Sequence, residues 1–180
     1  RPGRWAAEDG WPRADVPARM LVLGGDGRLG ETGEDGRLQI VGQQTAGLDA
    51  GSWCPYGEVA DWPGDQRAMD GMSLTFTSDP LSERLEILGY HEVKLRLESD
   101  RPLALVIVRL CEVWPDGAST VVTRALQNLT HRESDEHPQP LVPGEPFTAT
   151  VKLDAAGHAF AAGNRIRVGV SPTYWPWAWP

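Results

Sequence analysis

Cysteine is nearly absent from this 180-residue chain, and the two present, Cys54 and Cys111, cannot supply a disulfide framework. Cys111 falls inside an apolar run and Cys54 in a loop-like stretch, so both are expected as free thiols. Basic charge is short as well. The formal net charge is −8 at pH 7, which opposes the phosphate neutralisation that nucleic-acid binding requires. No apolar run approaches the roughly 20 residues that cross a bilayer as a helix. The chain opens on Arg1 and carries neither a secretory h-region nor a transit-peptide pattern. These absences lead to the expectation of a cytoplasmic piece of a longer polypeptide, with no nucleic-acid or membrane partner. Helical periodicity is also missing. No segment repeats apolar residues every 3.6 positions over three turns, and 20 Gly and 15 Pro interrupt the chain too often for long helices.

What is present is alternation with period two. Val93, Leu95 and Leu97 alternate with Lys94, Arg96 and Glu98, and Phe147, Ala149, Val151 and Leu153 alternate with Thr148, Thr150, Lys152 and Asp154. Ile166, Val168 and Val170 do the same against Arg165, Arg167 and Gly169. Each pattern predicts a strand with one dry face and one wet face. Residues 103–108, LALVIV, are apolar throughout and predict a central strand covered on both sides. Pro115-Asp116-Gly117 supplies a fixed φ, a local acceptor and a permissive glycine, which favours a hairpin into a strand over about Ser119 to Leu129. The expected fold is an all-β jelly-roll β-sandwich, galactose-binding-like, in one domain over 1–180 with few or no helices. Residues 1–18 are expected as an extended arm, followed by a strand at Arg19 to Leu23. Residues 43–71 are expected as a long irregular loop, whose length points to function, and 131–146 as a solvated connection.

Motifs for chemistry fail their structural requirements. Gly25, Gly27 and Gly30 spell G-x-G-x-x-G, but ETGEDG follows where a dinucleotide site needs a helix, so a turn is expected. Ser52, Ser73, Ser119 and Ser171 all lack the G-x-S-x-G elbow of a serine hydrolase. His91, His131, His137 and His158 have no local Ser or Cys partner and are expected on the surface or in loops. His131, Glu133, Asp135, Glu136 and His137 match no metal-ligand spacing and read as a solvated charge run. No catalytic residue, metal or cofactor is expected.

Eight tryptophans are the one compositional excess. Trp5, Trp11, Trp53, Trp62, Trp114, Trp175, Trp177 and Trp179 stand mostly beside Pro or Gly, away from the alternating faces. They suit satellite clusters under loops and a contact surface for a further domain, or platforms for stacking sugars. Coplanar exposed rings would favour the sugar-binding module. A contiguous apolar patch would favour docking, because monomers rarely expose more than a few hundred Å² of it.

Seven segments taken in order carry a family resemblance. They are R-W-x(5)-W-P at the start, AGLDAGSWCPYG, GDQR at Gly64 to Arg67, the PDG hairpin, LQNLTHR at Leu126 to Arg132, LVPGE at Leu141 to Glu145, and A-G-x-R-I-R-V at Ala162 to Val168. The chain resembles the C-terminal non-catalytic β-sandwich of the X-Pro dipeptidyl-peptidase and cocaine-esterase-like acyl hydrolases. The family usually has His at the position of Asn164, which puts a local hydrogen bond in question. The resemblance implies an upstream α/β-hydrolase domain in the same polypeptide that carries the Ser-Asp-His triad. It places Trp53, Cys54 and Tyr56 at the substrate entrance of that enzyme, while the aromatic-rich end with Tyr174, Trp175, Trp177 and Trp179 argues by its composition for a domain-docking surface. It also implies a sheet edge left open by a further family strand, and hence self-association as a homo-oligomer. An oligomerisation domain stands with the sugar-binding module as an alternative reading.

Overall fold

The structure, a computed structural model, describes residues 3–11 and 16–179. The six segments expected as strands become β1 (Val22–Leu23), β5 (Glu92–Leu97), β6 (Leu105–Val113), β7 (Ser119–Asn128), β8 (Phe147–Lys152) and β10 (Arg165–Ser171), and four further strands join them: β2 (Leu29–Gly30), β3 (Leu74–Thr77), β4 (Leu85–Gly89) and β9 (Ala156–Phe160). One layer is an antiparallel sheet in the order β3-β10-β6-β7. The other is a ribbon. β4 pairs with β9 and β5 with β8, and the register slips by one residue between Gly89↔Ala156 and Glu92↔Lys152. A β-sandwich results.

Register explains the core. Val93↔Val151, Leu95↔Ala149 and Leu97↔Phe147 put the predicted dry faces of β5 and β8 on one side. They meet Val106 and Val108 of β6 and Ile166, Val168 and Val170 of β10 in one cluster. The expected hairpin forms: Gly117 takes φ +86°, Asp116 Oδ1 accepts from Ala118 N at 3.0 Å, and Trp114 N donates to Ala118 O at 2.8 Å. The Gly25–Gly27 stretch is the turn between β1 and β2, with Gly27 at φ +81°. Within the described part of the expected arm, Arg4 pairs with Glu86 at 2.9 Å and Trp11 packs edge-on to Tyr90. Residues 1, 2 and 12–15 of that arm lie outside the described residues.

Two expectations need correction. The polar side of β10 is not wet, because residues 43–72 and the segment after β10 cover that face of the sheet and form a second buried cluster. The covering stretch is irregular, yet it contains a 3-10 turn, Val59–Asp61, and one helical turn, α1 (Arg67–Asp70). His158 is also no loop residue. It lies in β9 opposite Ile87, on the inward face, where Nε2 sits 3.0 Å from Oε2 of the fully buried Glu112. Oε1 of Glu112 accepts from Ala161 N at 3.0 Å and from Asn164 Nδ2 at 2.6 Å. The Asn164 position therefore keeps a local hydrogen bond. These three donors clamp the β9–β10 turn onto the central strand.

Burial pushes the Glu112 carboxyl up, but the hydrogen bonds from Ala161, Asn164 and His158 outweigh it and hold the group below the usual glutamate range. A folded pKa below the unfolded value of about 4.3 adds stability that is complete above that value and lost as pH falls through the folded one. Stability measured by urea unfolding between pH 7 and pH 3 should therefore decline on the acid side. In Glu112→Gln the acid decline should be shallower and the stability at pH 7 lower. Parallel curves for the two proteins would exclude the clamp as a source of acid sensitivity.

Candidate functional site

The covered face of the sheet is built on arginine. Arg109 of β6 lies directly opposite Arg124 of β7 and Gly169 of β10, and Cys111 lies opposite Arg167. Arg109 is fully buried. A side chain at Gly169 would place its Cβ 2.8 Å from Arg109 Nη2, so the glycine leaves space for the guanidinium. Such a donor-rich group is tolerated inside only when its hydrogen bonds are met. Arg109 donates to Gln66 Oε1 at 3.0 Å and Ser73 Oγ at 2.9 Å, and lies 3.2 Å from Asp70 Oδ1. Arg167 holds the other oxygen of Asp70 at 2.8 Å. Burial among these groups pushes the Cys111 thiol up to about 11, which makes it an inert core residue.

Gln66 ties this layer to the loop. Its carbonyl accepts from Arg109 and from Tyr174 Oη at 2.8 Å, while its amide donates to Asp49 O and Gly64 O. Asp65 accepts from Ser119 N and from its neighbour Arg67. The GDQR tetrad is thus a structural device: it joins the loop, the start of β7, and the C-terminal segment. Arg124 completes the layer by donating to Ala50 O at 2.7 Å and stacking 3.9 Å over the Trp177 ring.

Above this polar layer the loop and the C-terminal segment present their aromatic residues. Trp53 packs against Trp177 with centroids 5.0 Å apart and planes at 56°, and Trp175 against Trp179 at 4.6 Å and 62°. Trp175 N donates to Ala46 O, which fastens the two segments together. Leu48, Trp53, Tyr56, Val59, Trp62, Trp175 and Trp179 are all exposed there. Trp62 and Leu48 wall a shallow groove of about 390 Å³. Cys54 is exposed in the same loop.

The structure brings the two predicted groups, 53–56 and 174–179, together through the Trp53–Trp177 pair. One member is misplaced. Tyr174 is fully buried with its hydroxyl on Gln66, so it supports the surface from beneath and offers no docking area. The residues missed from sequence are Gln66, Asp70, Arg109, Arg124 and Arg167. The available signal was an arginine inside the apolar run LVIVRLCEV. Elsewhere, His131 lies 3.8 Å from Asp135 and His137 4.0 Å from Glu136. Among the described residues no three candidate ligands converge, and no helix is long and apolar enough to cross a membrane.

Comparison with known proteins follows the same outline. A family model described as the X-Pro dipeptidyl-peptidase C-terminal non-catalytic domain matches residues 1–180. The cocaine esterase of Rhodococcus sp. (strain MB1 Bresler) is 24% identical over 96% of this chain and 32% of its own length. Among solved structures, an α-amino acid ester hydrolase superposes with a TM-score of 0.75 at 27% identity, over 87% of this chain and 29% of that one. An aminopeptidase from a marine sediment Thaumarchaeota archaeon gives 0.76 at 23% identity, over 97% and 32%, which speaks for the fold alone. The chain spans about a third of the length of these relatives.

Removing the guanidinium tests the polar layer directly. Arg109→Met should cost about 3–5 kcal/mol, the usual loss when one partner of a buried charged pair is removed, because Gln66 and Ser73 lose a donor and Asp70 loses a buried countercharge. Urea unfolding at pH 7 measures this. A loss below about 1 kcal/mol, the range of an exposed pair, would show that the loop is held by its apolar contacts instead.

Proposed function

The chain belongs to the family of X-Pro dipeptidyl-peptidase C-terminal non-catalytic domains, and from that premise we propose that it is the accessory domain of a serine hydrolase. It packs on an α/β-hydrolase domain of the same polypeptide and shapes the mouth of that domain's active site. The bond cleaved is an acyl ester or an X-Pro peptide bond, the two chemistries named among its family and relatives. The single observation that carries this reading is the concentration of exposed large apolar side chains, Leu48, Trp53, Tyr56, Val59, Trp62, Trp175 and Trp179, on the loop and C-terminal segment that cover one face of the sheet. A patch of large apolar side chains on one face is the usual mark of an interaction surface. Trp175 and Trp179 supply the docking area, while Trp53, Cys54 and Tyr56 reach the substrate entrance.

Ring geometry favours docking over sugar binding. A sugar platform needs open, coplanar faces, whereas both tryptophan pairs are tilted, at 56° and 62°, and each ring blocks part of its neighbour.

Trp53 separates the entrance role from a structural one. It is 63% exposed, so Trp53→Ala should lose about 1 kcal/mol from its aromatic pair, rather than the 3–5 kcal/mol of a truncated core tryptophan. In the whole hydrolase the same change should lower kcat/KM by about tenfold or more, on the order of 1–3 kcal/mol. Paired thermal melts and kinetics decide between them. A large fall in Tm with unchanged kinetics of the surviving enzyme would return Trp53 to a purely structural role.

A further inference from the structure

Among the described residues of the aromatic loop no large apolar side chain is buried. From Ser52 to Asp61 the loop leaves the sheet face and returns, closed at its neck by Ser52 N donating to Asp61 O at 3.0 Å. Trp53, Tyr56 and Val59 all point outward, with Tyr56 at 92% and Val59 at 89% exposure. A backbone excursion of this size turns N–H groups toward its own centre, where they need an acceptor. One carboxylate oxygen supplies it. Asp61 Oδ2 accepts from Tyr56 N at 2.7 Å, Gly57 N at 3.1 Å and Glu58 N at 3.1 Å. Gly57 takes φ +96°, a conformation open to glycine that turns these successive amides to one side as an anion-binding nest.

We propose that Asp61 is the positioning residue of this loop, holding Trp53 and Tyr56 pre-formed for an apolar group of the substrate. This rests on the entrance placement proposed above. A pre-ordered loop binds without the entropy cost of ordering its side chains, so the carboxylate acts on substrate binding while standing apart from the reacting atoms. The Ser52 hydroxyl and the amides of Tyr56, Glu58 and Gly57 hold the Asp61 carboxyl below the usual aspartate range. Loop order is accordingly complete above that range and declines as pH falls through the lowered value.

The test combines hydrogen exchange on this chain with kinetics of the whole hydrolase. In Asp61→Ala, the amides of Tyr56, Gly57 and Glu58 should lose about tenfold or more of their protection while those of β6 and β10 keep theirs, as expected of a local opening. Asp61→Asn retains an uncharged acceptor and should fall between, with protection that no longer declines in acid. KM should rise about tenfold in Asp61→Ala with kcat unchanged, the signature of lost binding. Unaltered protection at the three amides would overturn the role of Asp61. Lost protection with unaltered KM would keep Asp61 as organiser and reject instead the placement of the loop at the substrate entrance.

Discussion

A guanidinium buried under a loop governs how this domain presents its surface. Arg109 stands on the central strand of the four-stranded sheet, on the face turned away from the sandwich core, with no exposure to solvent. Its donors require acceptors at fixed positions. Gln66 and Ser73 supply them, and Asp70 supplies the countercharge. These partners stand in or just beside the GDQR–α1 segment, so satisfying one side chain draws that segment onto the sheet. Gln66 then passes the constraint on to Tyr174 and the carbonyls of Asp49 and Gly64.

Apolar packing alone would not place the loop so definitely. Replacing a buried ion pair with well-packed hydrophobic residues is often neutral or stabilising, so the network is not needed merely for burial. What it adds is direction. A planar fork accepts partners only along its N–H bonds, whereas Ala46, Ala50 and Met69 could slide against the sheet at little cost. The interior is therefore divided: the sandwich core is held by Val, Leu, Ile and Phe, and the second face by hydrogen bonds that specify where the covering segments lie.

Strand existence was legible in the sequence because side-chain period two survives wherever one face is dry. β5, β8 and β10 follow their alternation to within a residue or two, and the Pro115-Asp116-Gly117 turn forms by its own local chemistry. The second face was not legible. Arg167 and Gly169 occupy polar positions of an alternating pattern, and that pattern is the same whether water or a covering loop meets them. His158 was misread for a related reason. It occupies an inward position of β9, where its partner Glu112 is 46 residues distant in sequence, beyond the reach of any local pattern. The candidate surface was legible as an excess of tryptophan beside Pro and Gly. The tilt of its rings, and the burial of Tyr174 beneath them, depend on long-range contacts to β6, β7 and residues 43–66.

The two layers beneath the aromatic patch have different consequences for function. Because Arg109, Gln66 and Tyr174 fix the base, Trp175 and Trp177 are presented from a segment hydrogen-bonded to the sheet through buried groups. The Ser52–Asp61 excursion is held by its neck, the Trp53–Trp177 contact, the Asp61 carboxylate and the short 3-10 turn at Val59–Asp61, with no large apolar side chain buried among its described residues. Elements with few buried apolar contacts occupy the low-stability end of a fold. In the proposed reading the surface thus pairs a hydrogen-bonded docking base with a locally organised, more easily opened loop. That is the arrangement a domain needs if one part of its face must remain seated on a neighbour while another part meets a substrate that comes and goes.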